Sequence, residues 1–127
     1  MKLLLDTHAL LWFQAGDRRM SRTARRAIES GDAELLVSAA TVWEMSIKVS
    51  LGRLRLSDTV EAYVAAKIAE GYRMLSVSWT HAAAVEALPW HHRDPFDRLL
   101  AAQALTERCP LVTRDRVFGK YGVDVVW

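Results

Sequence analysis

Five brief runs of apolar residues, at 2–5, 35–38, 74–77, 111–113 and 123–126, punctuate the chain at wide intervals. A run that is largely apolar, rather than apolar at alternate positions, suits a short strand covered on both faces, and such strands belong to parallel sheets. Between the runs lie helical patterns with a polar start and a glycine stop: Ser21 to Gly31, Thr41 to Gly52, and Ser57 to Gly71. Two more cover 80–87 and 95–108; in the second, Asp94 is a natural N-cap and Pro95 a natural first helical residue. The order β-α-α-β-α-α-β-α-α-β-α-β predicts a three-layer α/β/α sandwich around a five-stranded, mostly parallel sheet. With no repeat, low-complexity tract or linker, the 127 residues read as a single domain, 1–127.

A chain of this length buries roughly two-thirds of its unfolded surface, so it needs neither metal nor disulfide merely to fold. The lone Cys109 suits a reducing compartment and reads as a small buried apolar residue. The apolar opening Leu3-Leu4-Leu5 is broken by Asp6 and His8, with no small-residue cleavage site after it, and no stretch approaches a membrane span. The expectation is a soluble cytoplasmic protein with no membrane partner. The formal net charge is +2, from 17 basic and 15 acidic residues, too weak by itself to argue for nucleic acid. The excess is local: residues 1–30 hold six basic residues against three acidic ones.

In parallel sheets of this kind the ligand site lies beyond the carboxyl ends of the strands. Asp6 ends the first apolar run and Asp115 follows the fourth; Glu44 is expected in the first turn of the helix after the second run, with Asp94 and Asp97 at the head of the helix leading into the fourth. Gathered at one edge, such carboxylates repel and raise one another's pKa unless a cation compensates. Carboxylates and water suit Mg²⁺ or Mn²⁺ better than zinc, and a metal-held water is an effective nucleophile toward a phosphodiester. Each acid also has a structural reading. Thr41-Val42-Trp43-Glu44 fits a capping box, Asp94 and Asp97 fit a cap and an acidic first turn, and Asp115 fits the start of a short helix through Phe118.

Taken together, Leu4-Leu5-Asp6-Thr7-His8, Trp43-Glu44, the segment from Arg93-Asp94-Pro95-Phe96-Asp97-Arg98 through Ala104, and Leu111-Val112-Thr113-Arg114-Asp115 resemble the PIN domain, in its VapC toxin-like branch. The resemblance implies a magnesium-dependent endoribonuclease, the toxin of a toxin–antitoxin pair, commonly a homodimer and inhibited by a VapB-type antitoxin. It places the acidic quartet on Asp6, Glu44, Asp97 and Asp115, with Thr113 as a supporting hydroxyl and Asp94 as a cap at the rim. Asp6, Asp97 and Asp115 are the expected metal ligands, and Glu44 the group that orients or deprotonates water. Alternatives are a solitary RNA-processing nuclease of the same family and a metal-binding or interaction domain without catalysis.

Arg18, Arg22, Arg25 and Arg26 fall at helical spacing and read either as a solvated face or as contacts for RNA or an acidic antitoxin segment. His92 reads as a solvated loop residue or a contact of the same kind. His8 borders the expected pocket, and Trp12 and Trp43 flank it, suited to stacking on a base or to packing in a core or interface. With the quartet committed to a cation, 17 basic residues face 11 acids, a balance compatible with a polyanionic substrate.

Overall fold

The five apolar runs become the five strands of one sheet. The computed structural model describes residues 1–127, which form β1 (Lys2–Leu5), α1 (Thr7–Ala15), α2 (Arg22–Glu29), β2 (Glu34–Ser38), α3 (Ala39–Ser50), α4 (Val60–Ala69), β3 (Arg73–Leu75), α5 (Trp79–Ala84), α6 (Pro95–Glu107), β4 (Leu111–Val112) and β5 (Val125–Val126). Short 3₁₀ turns cover Val85–Ala87 and Arg116–Tyr121. The strand order is β3-β2-β1-β4-β5 and all four pairings are parallel, so the expected mostly parallel sheet is wholly so.

β1 is central because it is the most apolar. Leu3, Leu4 and Leu5 are 0–1% exposed, and alternation sends them to opposite layers. Leu3 and Leu5 join Ala9 and Leu10 of α1 and Ala24 and Ile28 of α2; Leu4 joins Leu100, Ala101 and Ala104 of α6, with Phe118. Burying each leucine contributes roughly 1.5–3 kcal/mol. Cys109 is buried in the second of these layers, as its apolar reading implied.

Helix starts follow side-chain caps rather than the first apolar residue. Ser38, the last residue of β2, accepts from the Ala40 N–H at 3.0 Å, so α3 leaves the strand with no intervening loop. Its hydroxyl in turn donates to Gln103 Oε1 of α6 at 2.5 Å, tying the strand end to the opposite layer. The capping box expected at Thr41 and Glu44 is therefore overturned: Thr41 already lies inside α3, and Glu44 sits in the second turn rather than the first. Thr59 caps α4, Ser78 caps α5, and Asp94 caps α6 with Pro95 behind it, the last as expected.

Buried Arg98 fixes the approach to α6. Its guanidinium donates to the carbonyls of Pro89, Val85 and Leu88 at 2.9–3.2 Å and packs over the Trp90 ring at 3.7 Å. These bonds hold the 85–90 segment against the helix that carries Asp97. No helix is long and apolar enough to cross a membrane.

Candidate active site

β1 lies between β2 and β4, so the chain leaves β1 toward one side of the sheet and later returns to the other. Connections diverge at that point and open a crevice beyond the strand ends. Asp6 follows β1 and Thr113 follows β4, on either side of it. The crevice is a cavity of about 220 Å³ whose wall carries five carboxylates, Asp6, Glu44, Asp94, Asp97 and Asp115, together with His8 and Lys48. The four acids of the expected quartet thus meet in one place.

Asp6 and Asp115 each cap a helix with one carboxylate oxygen and meet a second side chain with the other. Asp6 Oδ1 accepts from the Ala9 N–H at 2.8 Å, capping α1, while Oδ2 accepts from Thr113 Oγ1 at 2.6 Å. Asp115 Oδ1 accepts from the Val117 N–H at 3.0 Å, and Oδ2 lies 2.7 Å from His92 Nε2. Thr113, fully buried, also accepts from the Asp115 N–H at 3.1 Å, so one hydroxyl joins the two acids across the strand gap. Glu44 Oε1 accepts from Thr7 Oγ1 at 2.5 Å, and Lys48 Nζ is 3.1 Å from Oε2. Asp94 accepts from the Phe96 N–H and serves as the cap at the rim.

Burial is the main force on the two innermost acids. It raises the Asp6 carboxyl, with Glu44 adding to the rise and the bonds from Thr113 and Ala9 and the charge of His8 opposing it. Burial likewise pushes Asp97 up to about 6; Asp94, Asp115 and Glu44 add to that and His92 opposes it. Burial and the neighbouring carboxylates both disfavour the charged forms of Asp6 and Asp97, a cost that a bound cation would relieve. His92, Asp97 and Asp115 offer ligand atoms within 4.8 Å of one another, a group that does not include Asp6, an expected ligand, or Glu44. Hard carboxylates with one imidazole fit a divalent cation such as Mg²⁺ or Mn²⁺.

His92 corrects the sequence reading. Its side chain is only 10% exposed, so it is not a solvated loop residue. The His92 backbone N–H donates to Tyr121 Oη at 2.9 Å, and Nδ1 lies 2.9 Å from the same oxygen. The tyrosine hydroxyl is then free to donate to Nδ1, leaving the Nε2 hydrogen for Asp115. The ring also stacks on Tyr121 and packs against Phe118. Nothing local in the sequence signals this, because Tyr121 and Asp115 are more than 20 residues away.

The arginines lie elsewhere. Arg22, Arg25 and Arg26 are on α2, whereas Arg18 lies in the turn before it, so the helical spacing does not hold for Arg18. Arg25 packs on Phe13 and faces Glu29 at 3.7 Å; Arg18, Arg22 and Arg26 are exposed, and none of the four lines the acid cavity. Trp43 is exposed with its edge against Phe96, and Trp12 stacks on His8.

The sequence model of the PIN domain matches residues 3–124. The chain belongs to the PIN domain family. It is 36% identical over 115 residues to Ribonuclease VapC22 of Mycobacterium tuberculosis (strain ATCC 25618 / H37Rv), covering 90% of this chain and 87% of that one. The fold is similar to that in VapBC2 of Rickettsia felis bound to a promoter DNA fragment, with a TM-score of 0.73 at 14% identity over 98% of this chain and 97% of that one. DNA-bound VapBC of Salmonella typhimurium gives 0.67 at 16% identity, over 98% and 96% of the two chains. This PIN domain therefore has the sheet and layers of those assemblies, with its acidic cavity at the sheet's switch point.

Proposed function

We propose that this PIN domain is a magnesium- or manganese-dependent endoribonuclease and acts as the VapC-type toxin of a toxin–antitoxin pair. The observation that carries the reading is the convergence of Asp6, Glu44, Asp97 and Asp115 on one cavity whose negative charge is poorly compensated from within. Identity of 36% to a protein named as a ribonuclease supports the same class of reaction.

Asp6, Asp97 and Asp115 would hold the cation, with His92 behind Asp115. When bound, a divalent ion supplies Lewis acidity toward a phosphoryl oxygen and lowers the pKa of water. The chain's own groups do the rest. Thr113 fixes the carboxylates of Asp6 and the backbone of Asp115 relative to each other, so two ligands from different strands keep one spacing. Thr7 and Lys48 hold the two oxygens of Glu44, which stands ready to orient a water and take its proton. Lys48, at the cavity edge, also attracts the phosphate backbone of the substrate.

The same reading pairs this chain with a VapB-type antitoxin, which the structural neighbours that are VapBC assemblies support, and takes it as a homodimer acting on cytoplasmic RNA. Purified wild type and Asp97→Asn, each incubated with a mixed RNA substrate in magnesium and in EDTA, test the chemistry. Cleavage by wild type in magnesium alone is expected. Equal cleavage by both proteins, or by wild type in EDTA, overturns the reading.

A further inference from the structure

A second concavity opens from the acid cavity and shares Thr7, His8 and Lys48 with it. It measures about 570 Å³ and runs between α1 and the segment after α3. Such a volume lies within the roughly 300–1,000 Å³ of pockets that hold ligands. Its charge is opposite to that of the acid cavity: Arg19, Lys48, Arg53 and Arg55 line it, against Asp17 alone among acids. Asp17 is already committed to Arg19 at 2.7 Å, whereas Arg53 and Arg55 are exposed and make no salt bridge. At the junction stands His8, exposed, with one face of its ring stacked on Trp12 at 5.2 Å and an interplanar angle of 21°. Trp12 is itself held by Arg19 at 4.5 Å and by the edge of Trp127 at 6.0 Å. An exposed flat ring on a fixed support, with unpaired arginines beyond it, is the combination that binds single-stranded nucleic acid: a π-face for a base and cations for phosphates.

We infer that this groove binds the single-stranded RNA segment adjoining the cleaved phosphodiester, with a base stacked on His8 and the following phosphates on Arg53 and Arg55. The inference rests on the nuclease reading for its substrate, and adds where the strand leaves the acid cavity. Continuity of the two concavities at His8 and Lys48 lets one strand present a phosphate to the carboxylates while its neighbours lie in the basic groove. An acidic peptide would satisfy the arginines but leave the His8 face without a partner.

The test uses a fluorescein-labelled uridine 12-mer RNA and fluorescence anisotropy across a range of salt, in an Asp97→Asn background so that the strand stays intact. Each phosphate contact removed reduces the slope of log K against log salt by about 0.7 for a single strand, so Arg53→Ala with Arg55→Ala should flatten it by about 1.4. Arg22→Ala with Arg25→Ala, on α2, should leave the slope unchanged. His8→Ala should weaken binding roughly tenfold, and His8→Phe, which keeps an aromatic face, should restore it. An unchanged slope in the Arg53 and Arg55 variant, or unchanged affinity in His8→Ala, overturns the groove. So does weakened capture of a polyglutamate peptide with RNA binding intact, which makes the surface a protein-docking site. A wild type that cuts no RNA while these binding changes still occur would sink the nuclease reading and leave the groove standing.

Discussion

His92 Nε2 and Asp115 Oδ2 are 2.7 Å apart, and the other ring nitrogen of His92 is 2.9 Å from Tyr121 Oη, so one side chain anchors a cavity carboxylate to the 3₁₀ turn that follows it. Asp115 is itself 41% exposed, and without the imidazole only its cap to Val117 would orient it. Groups that support metal ligands in this way typically set metal affinity by 10- to 100-fold.

His92→Ala should therefore raise the magnesium concentration for half-maximal cleavage by roughly that factor, with the maximal rate largely recovered at saturating magnesium. A magnesium titration of initial rates checks this. An unchanged titration curve would mean that Asp115 needs no such anchor.

Asp97 carries a stability cost in the metal-free protein. Its folded pKa of about 6 lies above the ordinary 3.8, so between those values the folded chain keeps a proton that the unfolded chain releases. Stability from this group accordingly falls as pH rises through that window and stays low above it. Asp97→Asn removes the cost. In EDTA at pH 7.5 the variant should be more stable than wild type by about 1–2 kcal/mol, allowing for solvent screening, and at pH 3.5 the two should coincide. Urea melts at the two pH values measure it, and added magnesium should stabilise wild type more than the variant.

Thr113 donates to Asp6 and thereby favours its ionised form. Thr113→Val keeps the shape and loses the donor, while Thr113→Ser keeps the donor. A hydrogen bond to a charged group contributes roughly 1.5–3 kcal/mol, so the acid limb of the cleavage-rate profile should move up by about one to two pH units in Thr113→Val and stay in place in Thr113→Ser. Identical profiles for wild type and Thr113→Val would refute the coupling.

The Tyr63 hydroxyl is buried without a hydrogen-bond partner, and burial pushes its pKa up to about 12. A buried, unsatisfied hydroxyl is a net cost. Tyr63→Phe should leave stability unchanged or raise it by up to about 1 kcal/mol, read from thermal or urea unfolding. A clear loss of stability would show that the hydroxyl has a partner in solution.

What the sequence disclosed was what is local. The brief, mostly apolar runs overlapped every strand, though β3 starts one residue and ends two residues before its run and β5 takes only the last two residues of its run. Asp94 and Pro95 marked the start of α6, because a cap acts within three residues. The convergence of Asp6, Glu44, Asp97 and Asp115 followed from a topological rule that needs only element order. The start of α3 was missed because Ser38 serves three roles at once, as the end of β2, the cap of α3 and the partner of Gln103, and only the folded layers bring the last together. His92 was misjudged for the same reason: its burial depends on Tyr121 and Phe118, which reach it from the turn after β4. The basic groove combines α1 with the segment after α3, distant in sequence, whereas the visible run of arginines around α2 proved to face elsewhere.

That these carboxylates cut RNA is tested most directly by mapping new RNA ends across the transcriptome after brief expression of wild type or Asp6→Asn. Discrete new ends are expected with wild type and none with the variant at equal protein levels. The same pattern of ends in both, or no new ends in either, would contradict it.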